Sequence, residues 1–394
     1  MLPPNYLIDN IGAITEMYDD LHTSILSSIA QHIADTFEKF EAYDIIPTAK
    51  FKLEQLNQAG MLRADIIDHL AKVTKLSRKE IRRLMRDAGA VTRRYDDRVY
   101  KAAGIIPIPL SQSPQMVRIL DAGVSKQMGK LVRLTGTIAT NAETNFNRLL
   151  NVAYNKVASG AYNYQEAIAG AVDDLNREGV KIFTYASGRE ISIEAAVRMN
   201  VLTGINQTAA KVTEQTMDEV GVFTVRTTAH LGARNKGEGF INHESWQGKV
   251  FHWEEKANGA QADYPDFIIS SGYGDVRGLC GANCRHSFGP YIVGLSPETY
   301  TKADLDEFSN KTVTYTDAKG QKKTVPYYDG TQLMRELERK VREWKKREKV
   351  KKAANIDAKL EKSKVKYWQN RLIAFSAETG IKRDYSRERV AGER

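Results

Sequence analysis

The 394 residues are enough for two or three domains. With 42% hydrophobic and 27% charged residues the composition is that of an ordinary soluble protein, and two cysteines cannot staple a chain of this size. No apolar run reaches the roughly eighteen residues of a membrane span, and Met1 to Tyr6 lacks the basic region and apolar core of a secretory signal, so synthesis in a reducing cytoplasm is expected. The net charge of +9 is unevenly placed. Residues 331–394 hold 20 Lys and Arg against 10 Asp and Glu, while the rest of the chain is nearly neutral. That asymmetry points to a polyanion partner for the C-terminal part.

The first hundred residues have helical periodicity. Tyr18, Leu21, Ile25, Ile29, Ile33 and Phe37 follow three-and-four spacing. Ser77 to Glu80 has the form of a capping box opening a second helix, with Ile81, Leu84 and Met85 on its buried side and Gly89 as its stop. Pro107 and Pro109, each lacking an amide donor, break the pattern and place a boundary near 105–115. Helical pattern resumes over about 115–178 and stops at Gly179. Val180–Tyr185 has strand character, Ala186–Arg189 is a turn, and Ser192 caps a long helix carrying Val197, Val201, Ile205 and Val212 as far as Gly221.

Val222–Ala229 is rich in β-branched residues and is expected as a strand, as are Lys249–Trp253 and Tyr291–Leu295. Thr312–Tyr315 and Lys323–Val325 flank Asp317–Gly320, a hairpin signal. From Thr331 the pattern is helical again. Met334, Leu337, Val341 and Trp344 form a seam suited to a partner helix, the chain's own or another copy's. Ile356, Leu360, Val365, Trp368 and Leu372 continue it in shifted register. The expected class is α+β: a helical N-terminal region (1–110), a helical region with a short strand (111–220), a small α+β domain (221–330) and a long basic helical tail (331–394).

Four of the seven histidines, both cysteines and two tryptophans crowd into His230–Tyr291. Cys280, Cys284 and His286, with His230 or His243 arriving from elsewhere, are ligand types suited to zinc. Three residues separate the cysteines, however, where a structural knuckle has two, so no metal or other cofactor is expected. A Cys beside a His is the minimal set for an activated thiolate, and Arg234 and Arg285 are placed to lower a thiol pKa, but no protease signature surrounds either cysteine. A deaminase needs His-x-Glu and Pro-Cys-x-x-Cys, and the chain has His243 directly before Glu244 and neither motif. The glycines lack the Lys and Ser or Thr of a phosphate loop, and Gly272 and Gly274 are better explained as turns. The preferred account is structural. Trp246, Phe251 and the cysteines fix a loop-rich core in which the histidines, Asn283 and Arg285 act as internal hydrogen-bond pegs. In the C-terminal part, Lys345, Lys346, Arg347, Lys349, Lys351 and Lys352 are the expected contacts to DNA phosphates, without sequence preference; the alternative is a helix with solvated charges.

The ordered set His230-Leu-Gly-Ala-Arg234, His243-Glu-Ser-Trp246-Gln-Gly-Lys-Val-Phe251, Gly272-Tyr-Gly274 and Cys280-Gly-Ala-Asn283-Cys284-Arg285-His286, followed by Pro290, resembles the signature of the phage minor capsid protein 2 family. That family is grouped with head-morphogenesis proteins similar to the F protein of phage Mu. Tyr185–Arg198, Thr203–Thr208 and Thr379–Arg389 extend the likeness over roughly 120–394. The resemblance implies a non-enzymatic, low-copy virion component that joins the head during assembly near the portal. Portal, capsid or scaffold proteins would be its partners, with the N-terminal helices as the protein-contact region, and no membrane is involved. The alternative is a hydrolase or nucleotide-modifying enzyme delivered with the DNA, using the His/Cys window.

Overall fold

A computed structural model describes residues 1–41, 46–179, 183–184, 190–259 and 263–390. In chain order the elements are α1 (Tyr6–Asn10), α2 (Gly12–Glu38), α3 (Thr48–Ala102), α4 (Pro114–Ala158), α5 (Tyr164–Glu178), β1 (Phe183–Thr184), β2 (Glu190–Ile191), α6 (Ile193–Val220), β3 (Thr224–Thr227), β4 (Val250–His252), α7 (Glu254–Ala257), α8 (Phe267–Ser271), β5 (Phe288–Pro290), α9 (Lys302–Asn310), β6 (Thr312–Thr316), β7 (Lys322–Pro326), α10 (Tyr327–Ala353) and α11 (Lys359–Thr379). The architecture is mostly helical α+β. No helix among the described residues is long and apolar enough to cross a membrane. The expected strand at Val180–Tyr185 is described only at Phe183–Thr184, and the turn at Ala186–Arg189 lies outside the described residues.

The chain forms two compact units, each drawn from three separated stretches. One holds Met1–Ala13, Arg78–Gly129 and Arg198–Leu333, and the other Ile14–Ser77, Lys130–Val197 and Met334–Arg394. The sequence pattern suggests four consecutive segments instead, because local composition carries no record of which distant helices share a core.

In the first unit the sheet is small and antiparallel, in the order β4-β3-β5. Val225 pairs with Phe251 on one side and Pro290 on the other. All four residues of the central β3 are buried, which suits its β-branched content. The third strand is Phe288–Pro290 rather than Tyr291–Leu295; the Tyr291 amide donates to Thr224 O at 2.8 Å, and beyond it the chain turns away. Ala210 and Met217 of α6 pack with Val225, Trp246, Phe251, Trp253, Phe267 and Phe288. Phe267 and Phe288 meet edge-on at 4.9 Å. Burying each such side chain contributes roughly 1.5–3 kcal/mol. Beside this core, Thr213 of α6 donates to Asp96 of α3 at 2.6 Å and Arg93 donates to Thr216 at 2.6 Å. The β6–β7 hairpin forms as expected, with Val313 opposite Val325.

The second unit is helical apart from β1 and β2. Its α2 buries Tyr18, Leu21, Ile25, Ile29, Ile33 and Phe37, the series predicted by spacing. A capping box between Asn163 and Glu166 opens α5. The residues from 334 onward are core here rather than a free tail: α10 buries Met334, Val341 and Val350, and α11 buries Val365, Leu372 and Phe375.

One expected helix start is absent. Thr48–Ala102 is a single helix running through Ser77, whose hydroxyl donates to Val73 O at 2.6 Å, while Glu80 pairs with Arg83. A Ser-x-x-Glu pattern is therefore satisfied as well inside a helix as at its start. Gly89 does not end it either. A Cβ there would lie 2.9 Å from Leu120 Cδ2, so the glycine serves the close approach of α4.

Candidate functional site

The His/Cys window occupies the first unit. Its centre is the loop from Gly272 to His286, which connects α8 to β5 almost without ladder bonds. Gly272 ends α8 with φ 60, and its Cβ would overlap the Phe240 ring. A Cβ on Gly278 would lie 2.2 Å from Gly272 O, so only glycine lets the loop cross itself there. Turn bonds follow: Leu279 N to Ser271 O at 2.9 Å, Ala282 N to Val276 O at 2.7 Å and Cys284 N to Gly281 O at 3.1 Å. Cys280 and Asn283 both have left-handed backbone, φ 57 and 58. Asparagine tolerates this locally, whereas cysteine there costs about 1–2 kcal/mol.

Side chains from outside the loop bind several more of its backbone groups. Asn206 of α6 donates its amide to Cys284 O at 3.1 Å and His286 O at 2.9 Å. Gln207 donates to Cys280 O at 3.3 Å, and Thr203 accepts from Asn283 N at 3.4 Å. Arg234 reaches Arg277 O and Ala282 O at 3.2 and 3.4 Å. Thr228 accepts from Ser287 N at 2.9 Å. The segments Thr203–Thr208 and Cys280–His286, set apart in sequence as pieces of one signature, are thus in direct contact.

The histidines meet above this loop. His230 stacks on His286 with ring centres 4.3 Å apart, and Arg285 donates to His230 Nδ1 at 2.8 Å. Trp246 lies 4.7 Å from the His243 ring and 4.8 Å from that of His286. Its indole N–H donates to Phe240 O at 2.9 Å. His243 Nε2 is 2.9 Å from Arg277 O and His286 Nε2 is 3.2 Å from Gln247 Oε1. Both Nδ1 atoms face Cys284 Sγ, at 3.8 Å from His243 and 3.6 Å from His286. One ligand atom from each of His243, Cys284 and His286 lies within 4.8 Å of the others. Cys280 instead directs its thiol to His286 O at 3.6 Å.

Burial sets the protonation. It pushes the Cys284 thiol up to about 11, which His286, Arg234 and Arg285 only partly oppose. Burial, reinforced by Cys284, pushes Cys280 well above the thiol range. Burial lowers His243 to about 4 against the help of Arg277 O, and holds His286 well below the usual imidazole range, with His230 and His243 adding to it. Neutral thiols beside neutral imidazoles are the opposite of an activated pair. The arginines act in the expected direction, but burial outweighs them.

Of the residues of the expected structural motif, His230, Arg234, His243, Trp246, Cys280, Cys284, Arg285 and His286 lie together as described. Asn283 differs. It is exposed, and it contributes a left-handed turn rather than an internal side-chain bond. Gln247 and Asn206 were not singled out as pegs; an amide side chain has no chemical signature until its partners are known.

The basic residues are dispersed. Lys346 is buried in the second unit, 2.5 Å from Asp19 and 3.3 Å from Glu194, and Lys351 pairs with Asp173 and Glu361 at 2.9 Å each. Arg347 pairs with Glu343 at 2.6 Å. Lys345 and Lys349 are half-buried. Lys352 is exposed, 2.6 Å from Glu348. Phosphate contact by all six together is incompatible with this packing.

Comparison with known proteins gives the class first. The chain is 25% identical over 310 residues, 76% of each chain, to a protein named "Structural protein" from Lactococcus phage LL-H. The description phage minor capsid protein 2 goes with the family model that matches residues 2–377, and the chain belongs to that family. No solved structure matches it.

The Asn206 pegs carry a direct expectation. Asn206→Ala takes its amide donor from Cys284 O and leaves His286 O with only long thiol contacts, and should destabilise the first unit by about 1–3 kcal/mol, read as a lower urea midpoint. An unchanged midpoint and slope would contradict the role given to Asn206.

Proposed function

We propose that this chain is a minor structural component of a phage head. In this reading it is made in the host cytoplasm, joined to the head at low copy number through portal, capsid or scaffold proteins, and retained in the virion. The observation that carries the reading is the family match over residues 2–377, which takes in both compact units rather than one motif. The name of the Lactococcus phage relative supports it. The His/Cys window also favours binding over turnover, because both of its thiols are buried away from any substrate.

The protein contact we assign to the N-terminal helices. On α3, Leu53, Leu56 and Ile67 are each more than half exposed and fall on one helical face with Gly60 between them. An apolar stripe of this kind on a charged helix is what a partner surface covers.

Packaged DNA is the second proposed partner, reached by a different set of lysines from the six read in sequence. Lys359, Lys362 and Lys366 are exposed and recur on one face of α11. Such contacts release counterions and carry no sequence preference.

Quantitative mass spectrometry of purified, washed particles tests the structural reading. Peptides of this chain at a few to a few tens of copies per particle are expected; their absence, with abundant chain in infected cells, sinks it. For DNA, replacing Lys359, Lys362 and Lys366 with alanine should reduce the salt slope of duplex binding by about 2–3 at unchanged stability. Lys346→Ala should instead lower stability, because it leaves buried Asp19 and Glu194 with Arg342 as their one remaining basic side chain on α10. A slope that survives the triple replacement removes α11 as the contact.

A further inference from the structure

The cluster of His243, Cys284 and His286 is not accounted for by a structural role alone. Arg277 O has only lone pairs to offer, so His243 Nε2 must be the atom carrying hydrogen. Gln247 Oε1 also accepts from the His230 backbone N–H at 3.1 Å, which fixes it as the carbonyl oxygen, so His286 Nε2 likewise donates. Both imidazoles are thereby held in the tautomer whose bare Nδ1 lone pair faces Cys284 Sγ. The thiol has one proton and can serve only one of them. Three side chains at most 2% exposed therefore converge two lone pairs and a sulfur on one point.

That arrangement is the one metal sites use. A ligating imidazole almost always donates its other nitrogen to a carbonyl or carboxylate, which fixes ring and tautomer, and here both do. The sulfur-to-nitrogen distances agree as well. Metal bonds of about 2.3 Å to sulfur and about 2.0–2.1 Å to nitrogen, at tetrahedral to trigonal angles, give sulfur-to-nitrogen separations of about 3.6–3.8 Å. The observed values are 3.6 and 3.8 Å. The Trp246 indole and the stacked His230 wall the cluster.

We propose that His243 Nδ1, Cys284 Sγ and His286 Nδ1 together bind one thiophilic metal ion, zinc(II) or copper(I). The soft sulfur and two imidazoles select this class over magnesium or calcium. Binding displaces the Cys284 proton to solvent and forms one metal–sulfur and two metal–nitrogen bonds, with no change of oxidation state. The Cys280–Cys284 spacing, which argues against a knuckle, does not bear on this set, because Cys280 is not one of its three ligands. Gln247 and the Arg277 carbonyl are positioning groups.

The test uses the full chain, purified without chelators and loaded in separate arms with zinc(II) and, under anaerobic reducing conditions, with copper(I). Elemental analysis should find about one equivalent in one arm, which also identifies the ion. Cys280→Ala should keep that equivalent, and Gln247→Ala should weaken binding about 10–100-fold. Cobalt(II) added to the wild-type chain should give a sulfur-to-metal charge-transfer band that Cys284→Ala abolishes. The cobalt and elemental measurements on wild-type protein stand even if a variant fails to fold. Folded wild-type chain holding less than about a tenth of an equivalent in both arms would overturn the proposal. So would metal retained at full occupancy by a folded His243→Ala, His286→Ala double variant.

Discussion

The first unit depends on one constraint: the backbone of the Gly272–His286 loop has to find hydrogen-bond partners without a sheet to supply them. Three strands of three or four residues cannot do so. Each buried group left unpaired would cost about 1–3 kcal/mol. The solution is a set of side chains brought in from α6 and from the segment after β3. Asn206 holds two carbonyls, Gln207 a third, and Arg234 two more. This places the signature residues at their positions. A histidine or asparagine there acts as a backbone substitute, and the aromatic core beneath, from Trp246 to Phe288, gives the pegs a rigid base.

The second unit solves a different problem, that of packing charged helices into a core. Lys346 and Arg342 of α10 meet Asp19 of α2 and Glu194 of α6 in its interior. Burial alone would raise the Glu194 carboxyl, but Lys346, Arg342 and His22 hold it well below the usual range. Desolvation offsets much of what such pairs contribute, so breaking one costs more than the intact pair adds to net stability. Among the described lysines and arginines after residue 331, Lys346 and Lys351 are buried in this way, whereas others, Lys359, Lys362 and Lys366 among them, face outward.

Periodicity made α2 legible, and the β-branched run and the turn signals made β3, β4 and the β6–β7 hairpin legible. These are local patterns that the fold did not need to override. The continuity of α3 was not legible, because Ser77 and Glu80 satisfy a mid-helix pattern as readily as a cap. Nor was the fate of the basic residues. Net charge is a sum over positions, and it says nothing of Lys346 turning inward to Asp19 while Lys359 stays in water. At the site, sequence located the window but left open which side chains meet. Cys280 and Cys284 are near in sequence, yet the left-handed backbone at Cys280 directs its thiol to a carbonyl, and Cys284 meets His243 from forty-one residues away. Gln247, which holds the ring of His286, lies within the signature, but nothing in the sequence marks it as a ring partner.

Native-state hydrogen exchange across the first unit tests the central claim most directly. If side-chain pegs make the loop part of the core, the amides of Leu279, Ala282 and Cys284 should exchange only through the same cooperative opening as those of β3. Rapid exchange of the loop amides while β3 stays protected would mean that the loop opens independently, and the account of the signature residues as structural pegs would be wrong.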